Sequence, residues 1–337
     1  MRKFLFLAFL LVIFIPSIAV GQASLTGYGS VNHIAFKSIP KIPAPNQLIQ
    51  LSVESYSTNL NKMMIVWYLD GEEIESGYGV KSIQFRTGET GTKQIVKVLI
   101  KKLGNVIMEK THYISPADVN IIFESDTYTP PFYRGKTLPS HQTRVKIIAI
   151  PNFIDSNNKK VDQDNIMYSW RINGWFNQDQ SGVGKNVYIY DGPLVSRPVE
   201  VEVTAEDIDS NLVAKKTETL YLIEPEIIFY EKNPIYGTIF ERAISDKANL
   251  NGVEIEISGA PYFFDISNTQ NINFRWSADG NEVSNGVEKS IVLRRTDGNP
   301  GNIEIGLEIE NFDKILQYTK SNFSLFYEEI FDLDFSF

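Results

Sequence analysis

The stretch IVWYLDG at Ile65–Gly71 decides the fold, because two closely similar stretches follow it along the chain. They are YSWRING at Tyr168–Gly174 and FRWSADG at Phe274–Gly280. In each stretch Trp is followed three residues later by Asp or Asn, and then by Gly. The tryptophans stand at positions 67, 170 and 276, so the two periods are 103 and 106 residues, the length of one β-sandwich domain. We therefore predict three tandem copies of one domain.

Alternating strands keep the same spacing from each tryptophan. Thirty-one residues after it stand Val98, Val201 and Leu307, each in a run whose every second residue is apolar. Similar runs lie upstream at 49–53, 145–149 and 253–257, and a lysine opens a short strand after a turn at Lys81, Lys185 and Lys289. Period-two alternation indicates strands with one buried face. The predicted fold class is all-β: three tandem immunoglobulin-like β-sandwich domains after an N-terminal signal peptide.

The repeated residues have structural roles in this prediction. Trp67, Trp170 and Trp276 are expected to point between the two sheets and to pack on Val98, Val201 and Leu307. The pairs Asp70-Gly71, Asn173-Gly174 and Asp279-Gly280 supply the positive φ that tight hairpin turns require. In antibody domains the equivalent Trp packs on a disulfide, and aliphatic packing would replace it here. A sugar-stacking role is the alternative for these tryptophans. Trp175 has no counterpart in the other repeats, so it is expected to be exposed and is a candidate ligand contact.

The N-terminus has the order of a secretory signal peptide. Arg2 and Lys3 are basic, Phe4–Val20 is apolar except for Ser17, and small residues follow up to Ala23. We predict a signal peptide at residues 1–23 that is cleaved after Ala23. Cleavage two or four residues earlier and an uncleaved membrane anchor are the alternatives. The mature chain would then have no membrane span and would be secreted or held in the cell envelope.

The domain limits are predicted from two short junctions that each hold one proline, Pro116 and Pro225. The first domain is expected at 24–115, the second at 116–223 and the third at 224–337. Junctions with a proline and no Gly/Ser linker favour a stiff, rod-like chain. At the C-terminus, residues 330–337 alternate apolar side chains with Asp332, Asp334 and Ser336. They are expected to add a strand to the third domain's own sheet or, alternatively, to a partner's sheet.

Composition excludes several classes of protein. The chain of 337 residues has no cysteine, so it has no disulfide, no thiolate metal site, no cysteine nucleophile and no cysteine-linked lipid anchor. Its formal net charge is −9, and no basic stripe is visible, which makes nucleic acid an unexpected partner. A hydrophobic fraction of 43% indicates folded domains and not disorder.

No constellation of residues predicts catalysis, a cofactor or a metal site. The three histidines, His33, His112 and His141, are too far apart for a triad and are expected at the surface or at a junction. Two acidic loops of the second domain leave calcium as an alternative. These loops contain Asp155, Asn157, Asp162, Asp164, Asp207 and Asp209. A glycosidase built from scattered carboxylates is a further alternative, for which three near-equal sandwiches leave little room.

The Trp-x-x-Asp/Asn-Gly turn, repeated about every hundred residues over 24–330, resembles the PKD-like and other immunoglobulin-like repeats of exported bacterial surface proteins. The fuller W-x-F-G-D-G pattern of PKD domains is absent. The resemblance implies adhesion, ligand presentation or spacing at the cell surface, with a protein or glycan as partner and no catalytic residues. A pilus-type or envelope assembly is one setting for it. The alternative is a carbohydrate-binding array that uses aromatic residues of the second domain, namely Trp175, Phe176, Tyr188 and Tyr190.

Overall fold

The computed structural model describes residues 34–155, 157, 159–195, 197–295, 299–315 and 317–328. Within these ranges the chain is all-β, and the only helices are three short 3-10 turns, at Leu60–Lys62, Gln163–Asn165 and Thr269–Asn271. The strands form six sheets, which pack in pairs as three tandem immunoglobulin-like β-sandwiches. The predicted signal peptide (1–23), the predicted extra strand (330–337) and His33 lie outside the described residues.

The first sandwich packs a three-stranded sheet, in the order β1-β2-β5, on a four-stranded sheet, in the order β4-β3-β6-β7. Its core contains Trp67 and the buried residues of the alternating strands, among them Leu51 and Val98. The strands are β1 (Ile34–Ile39), β2 (Leu48–Ser55), β3 (Met64–Leu69), β4 (Glu72–Tyr78), β5 (Ser82–Arg86), β6 (Gln94–Lys102) and β7 (Asn105–Ile114).

The second sandwich pairs the sheet β13-β9-β8 with the sheet β11-β10-β14-β15, and β12 also pairs with β10. Its core is built around Trp170, Tyr168 and Phe153. The strands are β8 (Asp118–Ser125), β9 (Arg144–Asn152), β10 (Met167–Ile172), β11 (Trp175–Phe176), β12 (Gly182–Val183), β13 (Val187–Asp191), β14 (Val199–Asp207) and β15 (Leu212–Leu220).

The third sandwich pairs the sheet β17-β16-β19-β22 with the sheet β18-β24-β23-β20-β21. The short strand β18 runs parallel to β24. The core of the third sandwich contains Trp276, Phe274 and Phe264. The strands are β16 (Glu226–Asn233), β17 (Gly237–Ile244), β18 (Lys247–Leu250), β19 (Glu254–Tyr262), β20 (Ile272–Ala278), β21 (Asn281–Gly286), β22 (Ser290–Arg294), β23 (Gly301–Asn311) and β24 (Tyr318–Tyr327).

One strand register differs between the repeats, and one detail of the predicted spacing is wrong. In the first and third sandwiches the residue directly across from Trp is Val98 or Leu307, but across from Trp170 it is Val203, not Val201. The second domain therefore has two more residues between its hairpin turn and the returning strand, an even number that keeps the same face buried. In the third domain, Val253 is 60% exposed, because β19 begins only at Glu254 and its buried part is shifted towards Ile257.

Candidate functional site

The three repeated tryptophans lie in the cores and carry the same backbone contact. Their side chains are fully buried, as are Val98, Val201 and Leu307. Each indole Nε1–H donates to a backbone carbonyl just before the short strand of the opposite sheet. The acceptors are Val80 for Trp67 (2.9 Å), Lys185 for Trp170 (3.0 Å) and Glu288 for Trp276 (3.2 Å). A buried indole N–H needs such a partner, so the repeated Trp also ties the two sheets of each sandwich together.

The Asp/Asn-Gly turns do more than reverse the chain. Asp70, Asn173 and Asp279 have φ of 52°, 50° and 47°, and the glycine after each is also positive in φ, as in a type I′ turn. The side-chain Oδ1 of each also accepts a hydrogen bond from the backbone N–H of a residue in or next to the returning strand. The donors are Ile95 (2.7 Å), Glu200 (2.9 Å) and Glu304 (3.0 Å). Only Asp and Asn combine left-handed backbone with this acceptor, a signal already visible in the repeat.

The structure separates the aromatic residues proposed as a sugar platform. Trp175 is 82% exposed and Phe176 is 52% exposed, side by side in the edge strand β11. Tyr188 instead lies in the core, with its ring 5.7 Å from that of Trp170 and its hydroxyl accepting from Asn177. The prediction that Tyr188 belongs to a four-residue sugar platform is therefore wrong, because the alternation of side chains along β13 turns Tyr188 inward.

The two acidic loops of the second domain meet at one concavity of about 730 Å³, which Asp155, Asp162, Asp207 and Asp209 line together with Lys159 and Lys160. The carboxylates of Asp155 and Asp162 accept backbone N–H groups of their own loops, and that of Asp207 accepts the Ser210 hydroxyl. No group of three His, Cys, Asp or Glu side chains that could hold a metal occurs among the described residues.

The two described histidines lie near the two domain junctions. The ring of His112 is 5.1 Å from that of Phe36, and burial, together with the charge of Lys110, lowers the pKa of its imidazole. His141 is 4% exposed and its Nδ1 is 3.5 Å from the Glu224 carboxylate, in the connection to the third domain. They belong to different domains, so the described histidines do not converge on one site.

Backbone contacts join the second and third domains. Tyr128 N–H donates to the Phe264 carbonyl and Phe263 N–H donates to the Tyr128 carbonyl, both at 2.8 Å. The Phe263 carbonyl accepts from the buried Ser140 hydroxyl at 2.7 Å. Phe263 has φ of +59°, a conformation that is rare for a bulky residue and costs free energy. Both of its backbone polar groups are satisfied by the second domain, which therefore holds this conformation in place.

An aromatic cluster surrounds this contact. Tyr230, Ala260, Tyr262 and Phe263 are buried, and Tyr128 packs against them from the second domain. The Tyr230 and Tyr262 hydroxyls are 2.6 Å apart. Burial, and next the hydrogen bond to Tyr230, raise the pKa of Tyr262 well above its ordinary value. The interface therefore has the apolar, hydrogen-bonded character of a domain core.

The junction between the first and second domains is different. Gly91, in the loop before β6, approaches Ile154 so closely that a β-carbon there would lie 3.2 Å from the Ile154 side chain. Around it lies a concavity of about 520 Å³ lined by both domains, including His112, Tyr113 and Asp209. The hydrogen bonds and ion pairs formed between described residues do not cross this junction.

No protein-family model and no curated protein matches the chain. Solved structures that it resembles are domain arrays. The three N-terminal domains of the bacteriophage RB49 Highly Immunogenic Outer Capsid protein are 11% identical, with 89% of this chain and 100% of that chain covered and a TM-score of 0.25. For the central fibronectin-III array of RIM-binding protein the identity is 12%, the coverage 89% and 94%, and the TM-score 0.29. Scores this low carry no argument about function.

None of the described residues forms a helix that is long and apolar enough to cross a membrane.

Proposed function

We propose that this chain is a non-catalytic, exported protein of the cell surface or extracellular space, in which tandem sandwiches act as an adhesive or structural spacer. The observation that carries the proposal is the buried contact between the second and third domains, where Phe263 is bonded through both its N–H and its carbonyl. A spacer must resist bending, and a core-like interface fixes the angle between its domains. An envelope or pilus-type assembly is the setting that this design suits.

The experiment measures how far the second junction can bend. The chain has no cysteine, so two spin labels can be placed on it by substitution alone. Thr219→Cys with Lys320→Cys spans the second junction, and Lys62→Cys with Thr219→Cys spans the first; all three side chains are exposed. We expect a narrow distance distribution across the second junction. A distribution as wide as that of a flexible linker would overturn the spacer proposal.

A second candidate function is glycan binding by Trp175, whose side chain is exposed on the edge strand β11. Trp175 is 82% exposed, and tryptophan is enriched at interfaces because its ring contributes a large apolar area and its N–H a polar contact. A glycan array probed with the chain and with Trp175→Ala tests it. Tyr56→Ala, at a residue 94% exposed in the first domain, is the matched control. Binding that is lost in Trp175→Ala alone would support this function, and binding equal in all three proteins would exclude Trp175.

A further inference from the structure

The outer faces of the three Trp-bearing sheets differ in chemistry. Because side chains alternate along a strand, the residues on either side of each buried Trp point outward. In the second domain the residue before Trp is Ser169, facing Thr204, and in the third it is Arg275, facing Glu308. In the first domain the same position holds Val66, facing Leu99. The first domain is therefore apolar where its two relatives are polar, and neighbouring side chains leave Val66 only 3% exposed.

Charged residues next to Trp, on one side or the other, continue this difference. Arg171 forms an ion pair with Glu202 across the second sheet, at 3.8 Å. Arg275 and Glu308 form one across the third sheet, at 3.0 Å. The first domain has Tyr68 at the position of Arg171, beside the apolar Val66–Leu99 pair. The ion pair of the first domain's sheet, between Lys97 and Glu109 at 2.7 Å, instead lies beside an apolar centre formed by Tyr68 and Leu99.

This surface forms a concavity of about 620 Å³, lined by Tyr68, Ile95 and Leu99 together with Lys97 and the turn residues Asp70 and Gly71. Ile95 is 41% exposed, and its neighbour Tyr113 on β7 is 57% exposed. Lysines border the apolar centre, and one of them, Lys97, is paired with Glu109 at 2.7 Å. The Lys93 ammonium lies 4.4 Å from the centre of the Tyr113 ring, and Lys97 and Lys101 alternate with Leu99 along β6. We call this concavity and its lysines the Tyr68 face.

Charge is unevenly distributed along the chain. Residues 34–115 contain 10 Lys and Arg against 7 Asp and Glu, a net charge of +3. Residues 224–337 contain 9 against 20, a net charge of −11. The first domain of one copy and the third domain of another therefore attract each other, while two third domains repel.

The sequence of the segment Ile330–Phe337, IFDLDFSF, complements the Tyr68 face. It has apolar residues at 331, 333, 335 and 337, with Asp332 and Asp334 between them. Apolar side chains on one side would cover Tyr68, Ile95 and Leu99, and the long lysine side chains at the rim can reach carboxylates beside them. The segment lies outside the described residues, so this complementarity is one of sequence.

We propose that the Tyr68 face of one copy binds the segment Ile330–Phe337 of a second copy. Such a contact joins two different surfaces, so it links copies head to tail, either in an open array or, where the rotation closes, in a ring. This goes beyond a spacer function, because it gives the chain a means of assembling into longer arrays.

The first test is sedimentation of the full chain over a range of concentrations. We expect concentration-dependent association, weakened at least tenfold by truncation after Glu329 and by Leu99→Glu. The matched control is Thr204→Glu, the same substitution at a residue half-buried on the outer face of the second domain, and it should leave association unchanged. A chain that stays monomeric up to its solubility limit would overturn the proposal. So would association that persists after truncation or that the control weakens equally.

A second test uses charge reversal, so that the proposal can still be tested if the Leu99→Glu variant does not fold. Lys93→Glu with Lys101→Glu should weaken association, as should Asp332→Lys with Asp334→Lys. An equimolar mixture of these two variants should associate again, because each supplies one complementary surface. Failure of the mixture to associate, while each variant keeps the melting temperature of the parent chain, would count against the proposal. Binding of the segment to its own chain would also overturn it, and would appear as a monomer whose Tyr68 face becomes more accessible on truncation.

Discussion

The two junctions of this chain join similar domains in different ways. At the second junction, Tyr128 and Phe263 exchange backbone hydrogen bonds inside an aromatic cluster. At the first, Gly91 approaches Ile154 beside a concavity of about 520 Å³. The connections themselves are alike, since each is short and contains one proline, Pro116 or Pro225. We therefore expect the stiffness of a junction to depend on what the flanking loops contact and not on the connecting residues.

The loop between β8 and β9 makes the difference. In the second domain this loop carries Tyr128, Tyr133 and Ser140, all of which contact the third domain at Tyr262 or Phe263. The Tyr133 ring meets those of Tyr262 and Phe263 edge-on, at 5.8 and 6.1 Å. The corresponding loop of the first domain, between β1 and β2, contributes nothing to the concavity at the first junction. We expect the second and third domains to behave as one cooperative unit.

The largest expected effect comes from removing a buried aromatic ring at the second junction. Tyr262 is 6% exposed, and Tyr262→Ala should lower the free energy of unfolding of the third domain by about 3–5 kcal/mol, since it leaves a cavity and an unpartnered Tyr230 hydroxyl. It should also speed hydrogen exchange at the Phe263 amide. Denaturant unfolding with exchange by mass spectrometry measures both.

Tyr236→Ala is the control for that substitution. Tyr236 lies in the same domain but is 83% exposed, so its loss should change stability by less than about 0.5 kcal/mol. An unchanged exchange rate of the Phe263 amide in Tyr262→Ala would contradict the claim that the aromatic cluster stabilises the second junction.

A smaller effect is expected from one hydrogen bond. Ser140→Ala removes the donor to the Phe263 carbonyl and leaves that buried carbonyl unsatisfied, at a cost of about 1–3 kcal/mol. Ser52→Ala is its counterpart, because the Ser52 hydroxyl donates to the Lys37 carbonyl at an exposed site where water can replace it. Thermal unfolding of both variants measures the difference. Equal losses of stability in the two variants would mean that water reaches the Phe263 carbonyl as easily as it reaches an exposed site.

Local patterns in the sequence predicted the repeated parts of the fold. The Trp strand, the Asp/Asn-Gly turn and the alternating strands each have a period or a turn residue that a short window shows, and all three sandwiches follow from them. The structure confirms the all-β class and the three tandem immunoglobulin-like sandwiches. Even the side-chain role of Asp70 could have been inferred, because Asp favours turns partly through its acceptor oxygen.

Contacts between distant residues left no such pattern. Ser140 and Phe263 are 123 residues apart, and no short window relates them. The left-handed conformation of Phe263 contradicts its local preference and is imposed by the second domain. The different register of Trp170 also left no local signal, because two additional residues between turn and strand change the spacing without changing the alternation.

The smallest expected effect sharpens the comparison at the first junction. Gly91 and Gly104 lie in the first domain with nearly equal φ, +83° and +85°, so Ala at either position meets the same backbone cost of about 1 kcal/mol. Only at Gly91 does the added β-carbon also meet another domain, at Ile154; at Gly104 nothing lies within 4 Å. The difference in unfolding free energy between Gly91→Ala and Gly104→Ala therefore isolates the contact between domains.

We expect that difference to stay below about 0.5 kcal/mol, because Ile154 lies in a polar loop beside open space and can shift. Urea unfolding of the two variants, followed by a probe in the first domain, gives the value. A difference in unfolding free energy above about 1 kcal/mol would be the cost of overpacking a closed interface. The first junction would then be tightly packed, like the second. A difference below about 0.5 kcal/mol would mean that the first domain can reorient at a loosely packed junction, while the second and third domains move as one unit.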